Sequence, residues 1–320
     1  MKTLTFKFLA CALVFASLPA KSLAQQPPAR GENAALQYYS AFLQMKDADI
    51  SDADVQELSD IISGTKNYDE AKFGPLVENN TEALRTMWAG ATLPTCDWGI
   101  GYLSAKLGAQ TPVPYFWRSR VLGRLNILYA LRQWDKGDRD DALNALSFGL
   151  KFAKDVSRGG PLVPILIAKT LLIQQLSVVS RFAESGKLTS AEKRTLRTTL
   201  DGLGTEGLDW PAATDTEMKG LKVNLDLMRS SSDQRRYYQS IMGNEPPENF
   251  HGVNSGDYAA LEKIRSAFSN MFRDDNADLV QQQIDAAPSV VRIMIPNPSK
   301  VLQASRELKQ ALQDTKAKLT

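Results

Sequence analysis

The chain of 320 residues carries 38 Lys and Arg against 36 Asp and Glu, so its formal net charge at pH 7 is only +2. This balance lacks the basic excess with which proteins hold nucleic acid or an anionic membrane surface. One histidine and two cysteines are too few for the usual zinc or iron ligand sets, so we expect no metal and no cofactor.

Residues 1–24 have the pattern of a secretory signal peptide. Lys2 and Lys7 precede an apolar run from Phe8 to Leu18, and Ser22-Leu23-Ala24 offers a cleavage site. The sequence therefore predicts a periplasmic or secreted protein whose first residues, 25–31, form a flexible tail.

Cleavage would change both the charge and the cysteine count. Because the signal holds three lysines, 35 of the 38 basic residues would remain against 36 acidic ones. Cys96 would be the one cysteine left, which excludes an internal disulfide. Two states of Cys96 stay open, a free thiol and a bridge to another chain.

Helical periodicity of apolar residues begins soon after the tail. The first predicted helices are Asn33–Met45 with Asn33 as N-cap, Ser51–Ile62 and Leu76–Ala91. Glu78 and Glu82 would share a face of the third helix. From Thr92 to Pro114, prolines and glycines interrupt any long regular element, and loops of this length are often functional.

The stretch from Val113 to Ala183 is the predicted core. A helix over Tyr115–Trp134 should stop at Gly137, and a second amphipathic helix should follow Asp138 as an antiparallel hairpin. In that second helix the small residue Gly149 would let a neighbouring helix approach closely. Leu162–Val179 is apolar nearly all round, but Lys169, Gln174 and Gln175 would be expensive in lipid, so we expect a buried central helix and no transmembrane anchor.

The C-terminal part also predicts helices and no strands. Thr189 and Glu192 form a capping box for one helix. A long helical stretch is expected at Ala212–Met242, with a hinge-like Ser230-Ser231-Ser232. Further helices are expected at Asp257–Phe272, Ala277–Ala286 and Ser299–Lys318, with Ser299 as the cap of the last. Residues 32–320 therefore form one all-α domain, in which a sub-boundary would fall near 204–211.

Two short features suggest a family resemblance. The hairpin from Leu128 to Val156, with Gly137-Asp138 at its turn, resembles those of tetratricopeptide-like repeats. Together with Cys96-Asp97-Trp98-Gly99 and Ile295-Pro296-Asn297-Pro298, it makes the chain similar to a group of uncharacterised exported bacterial all-α proteins. The resemblance implies export and an irregular, helical-repeat, α-solenoid-like array of antiparallel helices, and no known reaction.

The candidate binding residues are Cys96, Asp97, Trp98, Tyr115, Trp117 and Arg118. A catalytic role for Cys96 would need a base, and His251 lies far away in the sequence, so no catalytic residue is assigned. A structural role would bury Cys96 and Trp98 and bond Asp97 to loop amides or to an arginine. The aromatic residues could line a groove or fill the core.

The expected function is that of an exported helical binding or scaffolding module for a protein or peptide. One alternative is a periplasmic hydrolase that cleaves glycan or cell-wall polymer with paired carboxylates. The other is a carrier of a small apolar ligand beside the apolar helix at Leu162–Val179. The oligomeric state is left open.

Overall fold

The computed structural model describes residues 32–46, 52–108, 111–243, 245–248 and 250–320. The predicted signal peptide at 1–24 and tail at 25–31 lie outside these residues. Within them the chain is all-α, as predicted, and one isolated backbone bridge, between Asn33 and Thr95, is the single extended pairing. The helices are α1 (Ala34–Gln44), α2 (Asp52–Ser63), α3 (Glu70–Asn79), α4 (Thr81–Ala91), α5 (Ile100–Leu107), α6 (Tyr115–Lys136), α7 (Arg139–Val156), α8 (Leu162–Glu184), α9 (Ser190–Asp201), α10 (Trp210–Ser230), α11 (Gln234–Met242), α12 (Ser255–Asp274), α13 (Asp278–Asp285), α14 (Ser289–Met294) and α15 (Pro298–Ala317).

The segment predicted as one helix over Leu76–Ala91 is two helices, α3 and α4, that meet at Asn80. The Asn80 side chain is buried, donates to the carbonyls of Leu76 and Lys46, each at 2.8 Å, and accepts from the Lys46 amide. Such side-chain bonds to the backbone compete with helical ones, which explains the break. Glu78 and Glu82 therefore lie on different helices, and the predicted shared face was wrong.

The predicted irregular stretch from Thr92 to Pro114 contains a two-turn helix, α5. Gly99 and Gly108, both with positive φ, stand directly before and after it. L-residues with side chains rarely adopt that conformation, so these glycines let the chain turn sharply into and out of the helix. Two of the glycines that appeared to prevent a helix, Gly99 and Gly108, are therefore its boundaries.

Helices α6, α7 and α8 build the centre of the molecule. Gly137, at φ 85°, ends α6 as predicted, and α7 follows after one further residue. A Cβ on Gly149 of α7 would lie 2.4 Å from Asn126 Nδ2 of α6 and 2.5 Å from Gln175 Nε2 of α8. The small size of Gly149 predicted the close approach of a neighbouring helix, and here both α6 and α8 approach it.

By length and composition alone, helix α8 could cross a membrane. However, 56% of its most apolar 18-residue stretch is buried inside the protein. Helices α6, α7, α10 and α15 pack against it. This agrees with a central helix covered by its neighbours. Lys169, one of its polar residues, reaches the surface and pairs with Glu307 of α15.

The C-terminal helices match the prediction with three corrections. The long stretch expected at Ala212–Met242 is two helices, α10 and α11, which separate between Ser230 and Gln234. The Thr189–Glu192 capping box starts α9 as expected. The last helix is capped by Asn297, whose side chain accepts from the Lys300 amide at 3.0 Å, with Pro298 in its first turn, so the cap assigned to Ser299 was wrong. Pro298 lacks a backbone N–H, so it suits the first turn of the helix, where that N–H would have no partner. Asn297, the residue before it, is therefore the better cap. Helix α14 was not predicted.

Candidate functional site

The Cys96-Asp97-Trp98 segment lies between the start of α1 and the end of α7. Its position relative to α1 is fixed by Ala34 N, which donates to Thr95 O at 2.8 Å, and by a two-way pair between the Asn33 side chain and the backbone of Asp97. On the other side, Trp98 Nε1 donates to the carbonyl of Asp155 at 2.7 Å, and the Cys96 thiol points to the same oxygen. Helix C-termini leave such carbonyls without intrahelical partners, so this loop caps α7.

Asp155 itself is the centre of this region and has no exposed surface. Its carboxylate accepts from Tyr38 Oη of α1 at 2.8 Å and from Lys151 Nζ at 2.5 Å, and Arg158 Nε lies 3.1 Å away. A buried charge requires such partners. Burial, with the nearby Asp155 charge, raises the pKa of Tyr38, so this hydroxyl stays a proton donor.

Aromatic rings cover the Asp155 region. Tyr115 stacks on Trp98 with 4.2 Å between ring centroids and 8° between planes, and Tyr38 packs edge-on against Phe152 at 4.8 Å. Tyr115 and Trp98 are buried. These rings fill the junction of α1, α6 and α7, so of the two predicted alternatives for Tyr115, core packing is the one observed.

The structure separates the six predicted binding residues into two sets. Cys96, Trp98 and Tyr115 are buried together. Asp97 is exposed and accepts a hydrogen bond from the Gly99 amide, so it bonds to a loop amide, one of the two partners that the sequence left open. Trp117 is 51% exposed and Arg118 donates to the carbonyl of Phe42 at 2.7 Å. The six residues therefore do not form one binding surface.

The environment of Cys96 does not activate its thiol. Burial, followed by the Asp155 charge, raises the pKa of Cys96, so the thiol is protonated at neutral pH. Its contact is a backbone carbonyl, and His251 is exposed. Among the described residues, no group of three His, Cys, Asp or Glu side chains could hold a metal ion.

A half-open cleft of about 260 Å³ lies elsewhere, where α5, α6, α8 and α10 meet. We call it the α5–α10 cleft. Its walls are mainly apolar, and Val163 at the start of α8 is 52% exposed there. The lining residues are Ser104, Gly108, Thr111, Val113, Phe116, Pro161, Val163, Thr216, Glu217, Gly220, Leu221 and Asn224.

Glu217 is the one acidic residue in that lining. Its Oε2 accepts from the Leu162 amide at 3.0 Å, at the first residue of α8, where the helix dipole favours a negative charge. Burial raises the pKa of Glu217, and the Leu162 amide opposes that shift only in part. The cleft therefore combines apolar walls with a desolvated carboxyl group.

Sequence reasoning missed both acids on which these regions depend. Asp155 stands in the last turn of α7, where the helix dipole disfavours an acid, and this position alone signals a need for cationic partners. Glu217 lies four residues before Leu221, so helical spacing places it on a partly apolar face of α10. The Thr92–Pro114 stretch, whose length is typical of functional loops, contributes Ser104, Gly108, Thr111 and Val113 to the lining of the cleft.

Comparison of the chain with protein-family models, with functionally described proteins and with solved structures gave no match.

Proposed function

We propose that this chain is an exported helical binding module that recognises a protein or peptide partner by taking one of its side chains into the α5–α10 cleft, against the apolar walls. The observation that carries the proposal is the cleft itself, with its apolar walls and an opening to solvent. Export rests on the pattern of residues 1–24. The repeat-like antiparallel array is part of the same proposal, supported by α6 and α7, which pack together across a two-residue turn.

The size of the cleft favours a side chain over a whole small ligand. Small-molecule sites commonly measure ~300–1,000 Å³ and bury most of their ligand. This cleft, at about 260 Å³ and half-open, lies below that range. An inserted side chain would gain roughly 0.8 kcal/mol for each CH₂ group removed from water. Carriage of a small apolar ligand is therefore less well supported than docking of a partner.

The hydrolase alternative is also less well supported by the cleft. Glycan cleavage by carboxylates uses two acids roughly 5–10 Å apart on either side of the bond. Glu217 is the one acid among the residues that line the cleft. Of the aromatic residues that could line a sugar groove, Tyr38 and Tyr115 are buried in the core, and Phe116 lines the cleft.

Gly220 provides a direct test, because a Cβ there would meet nothing within 4 Å and the residue lies in the wall of the cleft. Gly220→Leu should fill the cleft without disturbing the helix, since leucine is the better helix former. Gly101→Leu on α5 is the matched control, because its Cβ also meets open space and it does not line the cleft.

The probe is an acetylated tripeptide amide, Ala-norleucine-Ala, titrated into ¹⁵N-labelled protein. Norleucine carries an unbranched apolar side chain and no charge. We expect the amide signals of Gly108 and Val163 to shift in the wild type and in Gly101→Leu, and to stay in place in Gly220→Leu. The proposal fails if the wild-type cleft signals move neither with this peptide nor with peptides that carry a longer charged side chain at the central position.

A further inference from the structure

Glu217 is an acid without a cation. In the described part of the chain, the Leu162 amide is its hydrogen-bond donor, and no Lys or Arg side chain forms an ion pair with it. Asp215, two residues earlier on α10, shows the contrast. Its carboxylate is 2.7 Å from Arg265 Nε and 2.7 Å from Lys219 Nζ.

An unpaired carboxylate among apolar side chains costs free energy, because it has lost water without gaining an opposite charge. In Glu217 part of this loss has already occurred in the folded protein, because the side chain is half-buried in the cleft wall and its Oε2 accepts from the Leu162 amide. A cation that enters the cleft would therefore gain the attraction of a preformed and poorly hydrated charge.

We propose that the side chain which the α5–α10 cleft receives is a lysine of the partner, with its four-carbon stem against the apolar walls and its ammonium group on Glu217. This inference rests on the proposed function, because it specifies which side chain the cleft binds. Charge complementarity identifies the occupant. The apolar walls suit the methylene stem, and the carboxylate suits the charged tip.

The hydrogen bonds of Glu217 favour lysine over arginine. Arginine binds carboxylates best through two parallel bonds that use both oxygens. Here Oε2 already accepts from the Leu162 amide at 3.0 Å, so a contact with two parallel bonds would have to share that oxygen with the amide. The compact ammonium group of lysine needs only one acceptor.

Three acetylated tripeptide amides test this inference, with Lys, norleucine or Arg between two alanines. Binding is measured by NMR titration, from the shifts of the Gly108 and Val163 amides. For the wild type we expect the Lys peptide to bind at least about tenfold more tightly than the norleucine peptide, and more tightly than the Arg peptide. Glu217→Gln keeps an oxygen for the Leu162 amide, and it should lower the ratio of Lys to norleucine binding from tenfold to about one.

Glu82→Gln is the control, because it makes the same chemical change on α4 at a side chain that is 75% exposed. It should leave the Lys preference intact. Equal binding of the Lys and norleucine peptides by the wild type would overturn the inference and leave the proposed function standing. Tighter binding of the Arg peptide would overturn the assignment to lysine, and cleft signals that no peptide shifts would overturn both proposals. The wild-type comparison needs no variant, so it decides the question even if Glu217→Gln fails to fold.

Discussion

Replacing Asp155 by alanine should destabilise the protein more than any exposed acid on the same helix. The change leaves the buried hydroxyl of Tyr38 without its acceptor, and a hydrogen bond to a charged group is worth roughly 1.5–3 kcal/mol. Lys151 and Arg158 keep 29% and 38% of their side chains exposed, so water compensates for most of their loss, and we count about 1 kcal/mol for the two together. The expected decrease in the free energy of unfolding is therefore about 3 kcal/mol, within the lower part of the range for a broken buried pair.

Urea unfolding at pH 7, followed by circular dichroism, measures this loss. Asp141→Ala is the matched control, because Asp141 also lies on α7 and accepts from a tyrosine, Tyr129 Oη at 3.1 Å, but is exposed. It should cost about 1 kcal/mol or less. A double-mutant cycle with Tyr38→Phe should show a coupling of more than about 1 kcal/mol. The reasoning is refuted if Asp155→Ala costs no more than Asp141→Ala, or if the two changes in the cycle are additive.

Three further predictions concern single positions. Gly149→Leu should lower the free energy of unfolding by roughly 1–3 kcal/mol, because its Cβ would press on the Asn126 and Gln175 side chains, and an unchanged melting temperature would contradict that contact. Burial raises the pKa of Glu217 above its usual 4.5, so the folded state binds this proton more tightly than the unfolded state. The stability that Glu217 contributes should therefore be lost as the pH rises from 4.5 to the pKa of the folded state. Glu217→Gln should flatten that part of the stability profile in urea titrations over pH, and a parallel profile would show that the carboxyl is not desolvated. Because burial raises the pKa of Cys96, an aromatic disulfide reagent should label it only as the protein unfolds, and rapid labelling of native protein would show an accessible thiolate.

The all-α class could be predicted because helical periodicity and capping residues are local signals. The spacing of apolar residues in α6 and α7, the stop at Gly137 and the capping box at Thr189 each depend on neighbours in sequence, and the structure confirms them. Small size at Gly149 was also sufficient to predict a close helix contact. These features need no knowledge of distant residues.

The errors arose where a distant partner decides the local structure. Asn80 interrupts a helical pattern because its side chain bonds to Lys46, 34 residues earlier. Helix α5 forms in a glycine-rich stretch because it packs on α10, more than a hundred positions later. The wrong cap at Ser299 has a local cause instead: Pro298 must occupy the first helical turn, so the residue before it, Asn297, becomes the cap.

The candidate site was the least predictable part for the same reason. Rare residue types drew attention to Cys96, Trp98 and Tyr115, and the structure does place them together. Periodicity could not show that these residues surround Asp155. Nor could it show that Trp117 and Arg118 lie outside this cluster, because neighbours in sequence can face opposite sides of a helix. The cleft joins four helices, so no single segment carries its signature.

The loop that caps α7 also constrains the order in which the chain can fold. Asp155 meets Tyr38 across 117 positions, Cys96 across 59 and Trp98 across 57. Contacts of such high sequence separation form only after the loop-closure entropy of the intervening chain has been overcome, which slows folding. The first helix therefore cannot complete its packing until α7 is present. A nascent or truncated chain that ends before α7 leaves the aromatic residues around Tyr38 uncovered, as a surface on which chaperones or other unfolded chains can bind.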